Sequence, residues 1–221
     1  MMIKNNLKKL IITSALILLP IIVGLIFWNK LPDSIPIHWN FAGEVDNYAS
    51  KGFVVFAIPL LMLLCHIVCV VAVSLDPKNK DQSQKPLDLV LWSMPLVSFL
   101  LAFIIYPEAL GYNMNVEAVA FVFVGVLLLA IGNYLPKCKQ NYTLGIKVVW
   151  ALESEENWNA THRFGGRLWM VGGILIIACA FVPAPWKLIL FLSIVFPMVL
   201  APMAYSYLYY KKHSADKKEE K

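Results

Sequence analysis

Hydrophobic positions fall into six runs, 10–28, 53–75, 89–106, 118–135, 164–182 and 186–209, each bounded by polar or charged residues. A helix rises about 1.5 Å per residue, so about 20 apolar residues cross the roughly 30 Å of hydrocarbon in a bilayer. The fifth run is strictly apolar only from Leu168, but Arg167 can carry its charge back to the headgroups, which lets that helix start near Phe164. The pattern predicts an all-α fold: a six-helix transmembrane bundle making one integral membrane domain over 1–210. A charged tail, 211–221, is too polar to fold alone and is expected to be disordered. Trp28, Trp92, Tyr106, Tyr134, Trp169, Trp186, Tyr207, Tyr209 and Tyr210 fall near run ends and read as interfacial anchors. Pro20, Pro59, Pro95, Pro197 and Pro202 lie inside runs and predict kinks whose freed backbone groups are re-satisfied by neighbouring helices.

Composition agrees with lipid as the solvent. Of 221 residues 59% are hydrophobic and 15% charged, against about 25% charged in a soluble domain. The net charge of +5 acquires a meaning only through its placement. Sixteen of the 19 Lys and Arg fall in alternate segments, on one side of the bundle. The positive-inside rule then puts both termini in the cytoplasm and the loops 30–51, 107–117 and 183–184 outside. Direct nucleic-acid binding loses its support. Lys4, Lys8 and Lys9 before an apolar run imitate a signal peptide, but no small-residue cleavage site follows Trp28, and an uncleaved first helix is expected.

Little chemistry is visible. His38, His66, His162 and His213 are scattered among outside loop, span, inside loop and tail, so no metal site and no cofactor is expected. The sequence has no HExxH, Gly-rich phosphate loop or nucleophile elbow, and catalysis is not expected. Cys65, Cys69, Cys138 and Cys179 read as free thiols. His66, near the middle of the second run, keeps one alternative open, an ion-coupled small transporter or exporter of a peptide or small molecule. A packed, hydrogen-bonded histidine explains the same residue.

Two loops are richer than linkers need to be. In the first outside loop Pro32 and Pro36 force extended backbone, Ile35, Ile37 and Trp39 alternate as in a strand, and Asn40 to Gly43 make a turn in which Gly43 supplies positive φ. These residue types fit a loop folded back on the helix ends and a binding surface equally. In the long inside loop Ser154 can cap a short helix whose Glu155 and Glu156 sit at its positive end, with Trp158 and His162 on one face. An interfacial helix is expected there, with Trp150 and Trp158 among headgroups and Arg163 and Arg167 near phosphates. A docking role for a cytoplasmic protein fits as well.

The first segment, Leu31-Pro32 through Ile35-Pro36-Ile37-His38-Trp39-Asn40 and Gly43, then Asp46 and Tyr48, resembles a signature of the SdpI-type family of bacterial membrane proteins. The second resembles that family too, through Gly132-Asn133-Tyr134-Leu135-Pro136-Lys137, Asn141, Gly145-Ile146-Lys147, Trp150, Leu152, Trp158 and Thr161-His162-Arg163-Phe164-Gly165-Gly166. The chain departs from it where Lys147-Val148-Val149 replaces Arg-Thr-Pro and Val45 replaces a common Pro; Lys loses the bidentate fork of Arg. The resemblance implies an immunity protein of the bacterial cell membrane that binds and neutralises a secreted antimicrobial peptide toxin. It also implies signalling by capture of a cytoplasmic transcriptional repressor. The toxin lid would comprise Pro36, His38, Trp39, Asn40, Gly43, Asp46 and Tyr48, with Phe41 adding apolar contact and Asp33 and Glu44 adding charge. The cytoplasmic motif would comprise Asn133, Pro136, Gly145, Lys147, Trp150, Trp158, Thr161, His162, Arg163, Gly165 and Gly166.

Overall fold

The computed structural model describes residues 2–40, 42–78 and 84–219; Phe41 lies outside them. In chain order the elements are α1 (Met2–Ile26), strands β1 (Ser34–Trp39) and β2 (Val45–Ser50), α2 (Ile58–Leu75), α3 (Gln84–Ala109), α4 (Val116–Tyr134), α5 (Val149–Glu153), α6 (Glu155–Cys179) and α7 (Ala184–Glu219). The fold is all-α apart from one hairpin. Among the described residues five helices are long and apolar enough to cross a membrane: Asn6–Ile26, Phe53–Leu75, Leu87–Ala109, Val116–Lys137 and Pro185–His213. The chain forms two compact units, Met1–Leu75 with Leu87–Val119 and Asp76–Pro86 with Ala120–Lys221.

In the first unit, one face of α1 is stitched to its neighbours along its length. Lys9 pairs with Asp88 at 2.6 Å, His66 Nε2 meets Thr13 Oγ1 at 3.0 Å, Ser98 Oγ donates to the Ile17 carbonyl and Tyr106 Oη to the Pro20 carbonyl, both at 2.9 Å. Such bonds tie helices together where no hydrophobic force acts between them. Tyr106 is therefore not the interfacial anchor expected from its position: it is 5% exposed, in a core with Leu31, Ile35, Val54, Val55 and Ile105. A π-helical turn, Phe53–Ala57, precedes α2. Its wider register suits Pro59, which has no N–H to donate and crowds the carbonyl four residues back.

In the second unit α4 and α6 run antiparallel through paired glycines. A Cβ on Gly125 would come within 2.6 Å of the Gly173 carbonyl and one on Gly173 within 2.7 Å of Gly125's; Gly132 and Gly166 exclude each other's Cβ in the same way, at 2.8 and 2.6 Å. Only glycine allows backbones this close. Along α7, Pro202 leaves the Met198 carbonyl without its helical donor, and the Trp169 indole N–H of α6 fills the place at 3.0 Å. Phe164 stacks on Tyr205 with centroids 4.7 Å apart, which extends the antiparallel α6–α7 contact.

Two expectations about this unit are corrected. The polar stretch after Ser154 is not a separate short helix, because it continues without a break into the apolar run as α6; only α5, five residues long, is distinct. Ser154 is the N-cap, its hydroxyl accepting from Asn157 N. The charged tail is helical as far as Glu219 rather than disordered. Extending a formed helix costs far less than nucleating one, and His213 Nδ1 bonds back to the Tyr209 carbonyl.

Candidate functional site

The hairpin between α1 and α2 is built by its turn. Asn40 Oδ1 accepts from the N–H groups of Ala42 and Glu44 at 2.9 and 3.0 Å, its Nδ2 donates to Glu44 Oε2, and Gly43 takes φ +80°. That is an Asx turn closed by the residue type that adopts such an angle most readily. The strands are antiparallel, pairing Ser34 with Ser50, Pro36 with Tyr48, His38 with Asn47 and Trp39 with Val45, with irregularities on both sides of His38. Its base is fixed by Lys51, which pairs with Asp33 at 3.0 Å, donates to the Leu31 carbonyl and sits over the Trp28 ring.

The expected lid residues divide into two groups. Ile35 and Pro36 are buried, and Ile37 and Trp39 pack against the unit's core. His38, Asp46 and Tyr48 stand in solvent, Tyr48 56% exposed, with His38 Nδ1 and Asp46 Oδ1 2.5 Å apart. Glu44 is exposed beside them. Packing explains the first group; in the second, His38 and Asp46 link the two strands to each other, and Tyr48 stands exposed.

The second motif is mostly internal frame. Trp158 is fully buried, where an interfacial position was expected, and its indole N–H donates to the Cys138 carbonyl at 2.8 Å. Its ring stacks on His162 at 4.0 Å. His162 uses both nitrogens: Nε2 accepts from Ile146 N at 2.9 Å and Nδ1 lies 2.8 Å from the Trp158 carbonyl, which assigns the proton to Nδ1. Burial pushes this imidazole down to about 4, the Trp158 carbonyl only partly opposing it. Gly145, at φ +103°, faces the same ring, and any side chain there would collide with it.

Thr161 donates to Asn157 Oδ1, which also accepts from Ser206 Oγ. Gly165 leaves room for Ile146, while Gly166 leaves room for Pro136 at the start of the 3-10 turn Leu135–Lys137. Asn133 accepts from Lys137 Nζ at 3.3 Å, and Trp150 lies half-buried against Tyr207 with centroids 5.0 Å apart. Lys147 and Arg163 are exposed.

Sequence reasoning missed one of the residues that secure this loop. Asp76 is 7% exposed and accepts from Lys78 N, Tyr142 N and Thr143 Oγ1 at 2.7 to 2.9 Å. Burial alone would raise its pKa, but these donors outweigh it and hold the carboxyl below its usual range. The available signal is a lone acid directly after an apolar run and before Pro77. Asn157, another missed residue, is buried with donor and acceptor both used on Ser206. Cys138 is buried too, its thiol pushed up to about 11.

Known proteins match both segments. Residues 15–63, which include the hairpin, match a domain family described as a domain of unknown function (DUF1648), and residues 137–206 match the SdpI/YfhL protein family. The chain is 26% identical over 205 residues to "Immunity protein SdpI" of Bacillus subtilis (strain 168), covering 93% of this chain and 97% of that protein. No solved structure matches. The long apolar helices and this relationship together mark a multi-pass membrane protein.

Proposed function

We propose that this chain is a membrane immunity protein of the SdpI type that binds and neutralises a secreted antimicrobial peptide toxin by contact alone, without catalysis. The observation that carries the reading is the exposed hairpin trio His38, Asp46 and Tyr48 on a turn held by Asn40 and Gly43. A loop pinned at its turn and base that presents an aromatic ring and charge has residue types and a geometry that favour binding. The loops on its side of the expected topology carry five acids against three bases, which favours a cationic peptide.

In this reading both termini are cytoplasmic and the hairpin is outside. The antiparallel course of α6 beside both α4 and α7 supports a sixth crossing, which an even count of spans requires. On the cytoplasmic side a captured transcriptional repressor would meet the exposed Lys147 and Arg163, while Trp158, His162 and the glycines hold the frame behind them. A repressor found equally at the membrane with and without toxin would end that part of the proposal.

The test is survival of a sensitive bacterium expressing the chain under a panel of secreted peptide toxins, with membrane levels measured in parallel. His38→Ala with Tyr48→Ala should abolish protection at unchanged levels, and unchanged protection removes the hairpin as the site. One observation favours a second reading, the ion-coupled transporter: His66 is fully buried, and among the described residues its Nδ1 has no hydrogen-bond partner.

A further inference from the structure

The second unit contains an open groove of about 500 Å³ lined by Ile131 of α4, Gly145 to Val148 of the motif loop, Trp169 of α6, and Met198 and Met203 of α7. Its volume lies within the roughly 300–1,000 Å³ of small-ligand sites. We propose that this groove takes one acyl chain of an anionic membrane phospholipid, with the headgroup phosphate against Lys147.

Three observations carry the assignment. First, the groove offers a ligand no free hydrogen bond from two polar groups in its walls: the Trp169 indole is spent on the Met198 carbonyl and the Ile146 N–H on His162. An apolar occupant therefore leaves neither of these two groups unsatisfied. Second, the groove is continuous with an exposed apolar surface of α7, a helix long and apolar enough to cross a membrane, since Val199 and Met203 in its lining are 49% and 41% exposed and Leu200 beside them 57%. Third, Lys147 is the one charged residue in the lining; it is exposed, and no acid pairs with it among the described residues. An apolar channel with a lone cation is complementary to a lipid bearing a negative head and is matched less well by a neutral one.

The loop that carries Lys147 is held from behind. His162 fixes Ile146, and Gly145 turns the chain at an angle other residues resist. Lys147 is thus presented from a positioned backbone rather than from a slack linker. The proposal rests on the chain lying in a membrane and is independent of the toxin reading; it assigns Lys147 to lipid and leaves Arg163 as the exposed cation for the repressor contact.

The test is thermal unfolding of the purified full chain in detergent, with added phosphatidylglycerol or phosphatidylcholine of identical acyl chains, and with inorganic phosphate. Phosphatidylglycerol should raise Tm by about 2–4 °C more than phosphatidylcholine does. That difference should vanish in Lys147→Glu and in Val199→Trp, which fills the groove, and persist in Lys147→Arg and in the tail variant Lys211→Glu. Equal shifts from the two lipids would leave the groove to the apolar face of a protein helix and overturn the proposal. Retention of the difference in Lys147→Glu or in Val199→Trp would overturn it as well, as would reproduction of the effect by phosphate alone.

Discussion

The imidazole of His162 accepts the backbone N–H of Ile146 at 2.9 Å while its other nitrogen lies 2.8 Å from the Trp158 carbonyl, so one neutral tautomer holds the loop to the helix. A protonated ring would turn its acceptor into a second donor facing the Ile146 N–H. Free histidine titrates near 6.5, whereas burial holds this one down to about 4. Between those values the unfolded chain binds more protons than the folded one. Stability should therefore be full above pH 6.5, fall as pH drops toward 4, and lose on the order of 3 kcal/mol from this group. Unfolding midpoints from pH 4 to 8 for the wild type and His162→Gln check it; identical slopes in both proteins would refute the assignment.

Asp76 gathers three donors onto one carboxylate. Truncation to Ala leaves those donors facing a void, at a cost of about 1–3 kcal/mol. Limited proteolysis of Asp76→Ala should cut between residues 137 and 148 much faster than in the wild type, and equal cutting rates would mean that the loop is held elsewhere.

Cys138 lies buried beside the carbonyl that receives the Trp158 indole, with its thiol raised to about 11. It should resist maleimide at pH 8 in the folded protein and react after denaturation. Asp76→Ala should open it to the reagent, which gives a second readout of the same loop.

Glycine positions differ sharply in what they tolerate. Gly166→Val would drive a side chain into the Gly132 carbonyl and Pro136, and should lower the folded yield severely. Gly52→Ala meets nothing within 4 Å and should be neutral or slightly stabilising. Comparable yields for both variants would contradict the close α4–α6 approach.

His66→Leu separates the two functional readings. It removes one hydrogen bond to Thr13, worth on average only about 0.6 kcal/mol between membrane helices. Protection should survive this change if toxin is neutralised by binding. Loss of protection with normal membrane levels would favour a pump coupled through that histidine.

The apolar runs and the hairpin are legible because each rests on local signals. A run needs only length, and the hairpin needs Pro32, Pro36, the alternation of Ile35, Ile37 and Trp39, and the Asn40 to Gly43 turn. The start of α6 is harder to read. Asn157, Thr161 and His162 look like a solvated face, yet each polar group meets a partner from within the same unit: Asn157 and Ser206, Thr161 and Asn157, His162 and Ile146. Periodicity separates apolar from polar positions, but it does not separate polar groups paired with protein from those paired with water. The same limit hid Asp76, and it placed Tyr106 and Trp158 at the interface when their hydroxyl and indole groups are satisfied inside.

The glycine contacts between α4 and α6 recur at seven-residue intervals on both helices, 125 to 132 and 166 to 173. Two notches at one pitch act as an index: a slip by a single turn would set Leu129 or Met170 against a gap cut for bare backbone. The pair is consequently locked in register. Compliance in this unit then belongs to α7, where Pro197 and Pro202 interrupt the ladder and the Trp169 indole bridges to the Met198 carbonyl. A displacement within this unit is therefore expected as a bend of α7 at its prolines rather than as a sliding of α4 along α6.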